Sequence, residues 1–125
     1  MEVIDDVLQK TWVLIKYNSH VFNTLKSFLK FDHKKYYINH YGTTGFGNYT
    51  NSIKNNLIFD DLIIIENNVH FLEDEYIKDH TITWSVISQL KGRFEYSFDK
   101  TWSFLILKKN RDILIFKSLS GTKQI

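Results

Sequence analysis

Five histidines, two acidic clusters, a glycine-spaced run and an aromatic, basic run hold the side chains that could do chemistry in this 125-residue chain. His20, His33, His40, His70 and His80 form neither H-x-H nor H-E-x-x-H, so they spell no zinc-binding helix. They are expected to face solvent or to hold single hydrogen bonds. Cysteine is absent, which removes disulfides, thiolate nucleophiles and Cys-based metal sites. No metal and no cofactor is expected. Asp60-Asp61 and Glu73-Asp74-Glu75 read as solvated turns. A general base in a cavity needs an isolated carboxylate with a raised pKa among apolar groups. Asp99, between Phe98 and Trp102, is the one carboxylate to test for catalysis, although an excursion between strands is its simpler home.

Gly42-x-x-Gly45-x-Gly47 lacks the G-x-G-x-x-G order and the preceding apolar strand of a dinucleotide site, and residue 50 is Thr. It reads as a loop. Tyr36, Tyr37, His40 and Tyr41, with Lys34 and Lys35, could stack on bases or form a cavity lip. The formal net charge is only +2 and the basic run is short, so packing of the tyrosines is the better reading. Nucleic acid bound by this chain alone is not expected.

Elements to position these residues come next. Ile4, Val7, Leu8, Thr11, Leu14 and Ile15 follow helical spacing, as do Val21, Phe22, Leu25, Phe28 and Leu29. Tyr49, Ile53 and Leu57, four apart, suggest a short third helix. From Asp60 the pattern changes to strands: Leu62 to Ile65, Val69 to Leu72, alternating Ile82, Trp84 and Val86, and alternating Phe94, Tyr96 and Phe98. Trp102 to Leu107 and Ile113 to Phe116 are apolar on both parities, with Asn110-Arg111-Asp112 as a hairpin turn between them. Residues 121–125 read as a tail. The expected fold class is α+β, with two to three N-terminal helices packed on a curved antiparallel sheet. A sheet with one wet face should alternate apolar and polar. Here both faces are apolar, so something must cover the second.

No linker or repeat divides the chain, which reads as a single domain, 1–125. Hydrophobic residues make up 43% and aromatics 16%, which excludes disorder and supplies a core. No apolar run approaches the roughly 18 residues of a membrane span. The N-terminus, Met1-Glu2-Val3-Ile4-Asp5-Asp6, is acidic and amphipathic, unlike a signal or transit peptide. An intracellular location, cytoplasmic or nuclear, is expected.

The order of these elements resembles the nuclear transport factor 2-like superfamily. Leu90-Lys91-Gly92-Arg93-Phe94, then Phe98 to Leu107, look like its strand with a central glycine followed by a phenylalanine-rich strand. Ile113 to Phe116 looks like its last strand, and Gly47, Ile53 and Leu57 like its third helix and preceding glycine. Where the transport factors carry an Asn-Asp pair, an aromatic and an arginine, this chain reads Lys117-Ser118-Leu119-Ser120-Gly121. That departure speaks against a role in importing the small GTPase Ran, and the chain resembles the transport-factor and messenger-RNA-export partner-subunit branch more than a specific enzyme. It implies a cone-shaped fold with a cavity between helices and sheet. It also implies a non-catalytic interaction domain that dimerises through its sheet face, as a homodimer or with a larger protein, in transport or as an assembly adaptor. Trp84, Trp102, Phe104 and Phe116 would serve the interface. The alternative is a small-molecule pocket protein, an isomerase or cyclase of the same fold, with Trp12, Phe28, Tyr37, Trp84 and Tyr96 lining a pocket for a small apolar ligand. An RNA-associated subunit, resting on the lysine and tyrosine cluster, is a third reading.

Overall fold

The structure, a computed structural model, describes residues 8–52, 55–69 and 72–119. Among the described residues these elements follow in order: β1 (Thr11–Tyr17), β2 (His20–Val21), β3 (Ser27–Asp32), β4 (Lys35–His40), β5 (Thr43–Ser52), β6 (Asn56–Phe59), β7 (Ile63–Asn67), α1 (Asp74–Ile87), β8 (Gly92–Phe98), β9 (Phe104–Lys109) and β10 (Asp112–Ser118). Eight of them close a ring, β1-β3-β4-β5-β6-β8-β9-β10, and β10 returns to pair with β1. Every pairing is antiparallel. β2 pairs with the end of β1, and β7 lies beside the first half of β5.

This architecture overturns the α+β expectation of N-terminal helices on a cone-shaped sheet. The two segments read as helices one and two form β1 to β3 from residue 11 on, and the proposed third helix falls on β5 and β6. Residues 4–7 of the first expected helix, Ile53, His70, Phe71 and the 121–125 tail lie outside the described residues. The apparent helical spacing in β1 arises because Trp12, Val13 and Leu14 are all buried, so both parities are apolar. The glycine run is no loop beyond Gly42. Gly45 and Gly47 lie inside β5, where a Cβ at 45 would stand 2.7 Å from the Ile63 carbonyl oxygen of the neighbouring strand. The two-residue link His33-Lys34 takes positive φ at both positions, as a type I′ hairpin requires.

Barrel closure explains the doubly apolar strands. Leu105, Leu107, Leu114 and Phe116 point inward and are almost fully buried, while Phe104, Ile106 and Ile115 lie half-buried on the outer surface. Side chains from all eight strands fill the interior, among them Trp12, Phe31, Tyr36, Phe59 and Phe94. Burying such a side chain contributes roughly 1.5–3 kcal/mol relative to leaving it in water.

Helix α1 falls where Ile82, Trp84 and Val86 suggested a strand. Its buried positions are His80, Thr83 and Ile87, at helical spacing. Two of the three are polar, which hides the period. Asp74 and Glu75 in its first turn oppose the positive end of the helix dipole. α1 packs at the barrel end that holds the β4–β5 turn. There Tyr76 meets Tyr41 and the ring of Trp84 stacks on His40. Among the described residues no helix is long and apolar enough to cross a membrane.

Candidate functional site

Three places hold the side chains capable of chemistry or recognition. The first is the end of the barrel where β8 turns into β9. Asp99 organises that turn. Its Oδ1 accepts the backbone N–H groups of Ser103 and Phe104, both at 2.8 Å, and its Oδ2 accepts the Thr101 hydroxyl at 2.6 Å. These hydrogen bonds, the Thr101 hydroxyl foremost, hold the carboxyl down to about 2, below its usual range. That is the opposite of a general base poised near neutrality. Asp99 therefore acts as the turn's acceptor. The turn presents Trp102 at φ 60°, a left-handed conformation that is unusual for a bulky residue, with 41% of its surface exposed. Trp102 packs on Phe98, and Phe98 in turn on Tyr96 and Trp12, with centroids 5.1, 5.8 and 5.9 Å apart. An open groove of about 320 Å³ runs beside Asn55, Tyr96, Phe98 and Trp102.

The structure thus brings together around Phe98 several residues expected at separate sites: Trp12 and Tyr96 of the pocket set, Trp102 and Phe104 of the interface set, and Asp99. Trp12 and Tyr96 belong to the packed interior. Phe28 lies half-buried on β3, and Tyr37 is exposed on β4, 39% open to solvent. Trp84 is on α1, at the other end of the barrel. Phe116 is core, 2% exposed. The five pocket residues do not line one cavity.

The second place lies under α1. Ser27 Oγ and His40 Nδ1 are 2.7 Å apart, the spacing of a nucleophile and its base. The His40 Nε2 faces the His80 carbonyl at 3.4 Å. That carbonyl can only accept, so the proton is assigned to Nε2 and Ser27 donates to Nδ1. Burial, with the adjacent His80 adding to it, pushes His40 down to about 3. Both residues are enclosed, and the cavity beside them, bounded by Leu29, Ile38, Ile87 and Phe116, is about 10 Å³. That is room for about one water and no substrate. Trp84 stacks on both His40 and His80. His80 Nε2 and Thr83 Oγ1 are buried without a hydrogen-bond partner among the described residues. Beside this stack, Asp79 ties α1 to the barrel. It accepts from Thr24 at 2.9 Å and pairs with His20 at 3.1 Å. Spacing alone could not show this cluster, because its members come from β2, the β2–β3 loop, β3, β4 and α1. Among the described residues no group of three or more His, Cys, Asp or Glu side chains could hold a metal ion.

The third place is β7. Its registered partner is β5, with Gly45 opposite Ile64 and Phe46 opposite Ile63. Among the described residues no strand pairs with its other edge. Ile63, Ile64 and Ile65 are 55%, 42% and 63% exposed, so neither face of the strand is covered. The sequence marks this run as a strand; what it hides is that the strand stands outside the barrel.

No family model, no curated protein and no solved structure matches this chain.

Proposed function

We propose that this chain is a non-catalytic protein-interaction domain, an adaptor subunit that pairs with another polypeptide through β7. The supporting observation is the exposed Ile63-Ile64-Ile65 run on a strand whose second edge pairs with no strand among the described residues. An open edge directs N–H and C=O groups outward from alternate residues, and a second strand can satisfy them. Three neighbouring exposed isoleucines add apolar surface of the kind that marks interaction sites. One face of the closed barrel is its packed interior, so the proposal takes this edge, and not a sheet face, as the docking element. The half-buried Phe104, Ile106 and Ile115 of the outer surface form a subsidiary apolar strip. Occupation of the barrel interior by its own side chains favours this reading over a pocket protein or an isomerase.

The test is recovery of the full chain from its own cells under mild conditions, with mass spectrometry of the intact assembly. Wild type should carry a second copy or another protein in fixed ratio. Ile64→Lys, folded by circular dichroism, should come alone. Recovery of wild type alone and monomeric would contradict the proposal.

A further inference from the structure

We infer that the segment accepted by β7 is an extended, β-branched strand of a different protein, flanked by lysine or arginine. This rests on the reading of β7 as a docking edge and adds the chemistry of the partner. Residues 60–75 contain six acidic side chains, Asp60, Asp61, Glu66, Glu73, Asp74 and Glu75, and no lysine or arginine. The chain as a whole is formally +2, so this stretch is an acidic island on a basic molecule. All six are exposed. Asp61 meets Lys91 at 3.2 Å, and the other five have no ion pair among the described residues. The island brackets the three isoleucines in sequence, with two carboxylates before them and Glu66 immediately after.

This pattern selects among occupants. Lysine on an edge strand is the common guard against pairing, and β7 has none. A second copy would bring an identical acidic island against this one, and like charges facing each other oppose pairing. Nucleic acid would meet the same repulsion. A strand with an apolar, β-branched centre fits the isoleucines. Basic residues at its ends would face the unpaired carboxylates, which would speed encounter and fix register.

The experiment uses the full chain and labelled peptides read by fluorescence anisotropy. One peptide is Lys-Lys-Thr-Val-Ile-Val-Thr-Lys-Lys, the second replaces its lysines by glutamate, and the third replaces the central isoleucine by proline. The lysine peptide should bind about tenfold more tightly than the glutamate peptide at low salt, as two or three exposed charge pairs would give. The gap should narrow as salt rises. The proline peptide should not bind, nor should Ile64→Lys bind the lysine peptide. Asp60→Lys with Glu66→Lys should reverse the preference. Equal binding of the lysine and glutamate peptides would overturn the inference and leave the docking edge standing. So would binding of neither peptide by a chain whose assembly is lost in Ile64→Lys. Equal binding of the lysine peptide to wild type and Ile64→Lys would overturn it as diffuse attraction. Binding of neither by a chain that forms no assembly would remove both readings.

Discussion

The ring of Tyr36 lies against the backbone of Gly47, its partner across β4 and β5, so closely that a Cβ at 47 would stand 2.7 Å from the ring. From there the Tyr36 hydroxyl reaches the Asp60 carbonyl at 2.8 Å, with the Leu90 carbonyl 3.2 Å away. One fully buried side chain thus links the barrel wall to the segment leading into β7 and to the segment leaving α1. Gly47→Ala should cost about 1–3 kcal/mol, because the ring must move within a packed interior. Its urea midpoint should fall accordingly. Combined with Tyr36→Leu, the loss should be smaller than the sum by at least about 0.5 kcal/mol. Strict additivity would mean that the close approach carries no energetic weight.

Trp102 offers a separate test of backbone strain. A left-handed conformation costs a residue with a Cβ roughly 1–2 kcal/mol, a penalty that glycine escapes. Trp102→Ala and Trp102→Gly both lose the contact with Phe98, and they differ chiefly in that penalty. The glycine variant should be the more stable by about 1 kcal/mol in equilibrium unfolding. Equal stability would show that the turn held by Asp99 is not strained at this residue.

His40 makes stability depend on pH. Its folded-state value lies near 3, below the ordinary 6.5, because it is buried beside His80. The unfolded chain therefore takes up a proton first as pH falls. The stability due to neutral His40 is complete above about pH 6.5 and declines from there towards pH 3, by roughly 1.4 kcal/mol per pH unit. His80 is lowered as well and acts in the same direction. Urea midpoints of wild type should stay level from pH 8 to 6.5 and then fall. His40→Gln should be less stable at pH 8, with a shallower decline. Identical slopes in the two proteins would remove His40 from the account.

Much of the second half of the fold is legible in the sequence. Alternation of Phe94, Tyr96 and Phe98 gives the inward side of β8, and Asn110-Arg111 turns β9 into β10. The first half is not legible, for two physical reasons. Its hairpins use His33-Lys34 and Tyr41-Gly42, and of these four positive-φ residues Gly42 alone is a glycine. Its first strand also buries residues of both parities, so period two does not stand out from period 3.6 there. α1 is masked by its polar buried face. At the candidate sites, the exposed aromatic of the β8–β9 turn and the isoleucine run can be picked out by residue type. The Ser27–His40–His80–Trp84 assembly cannot, because it forms only when α1 crosses the barrel end.

The central claim is that β7 meets another polypeptide. A photo-reactive amino acid placed at position 64 in the full chain tests it most directly, with a second placed at Glu95, exposed on β8, as the control. After irradiation in the native cells, the account predicts a discrete protein adduct from position 64 and none from position 95. An absence of adduct at 64, or the same adducts from both positions, would contradict it.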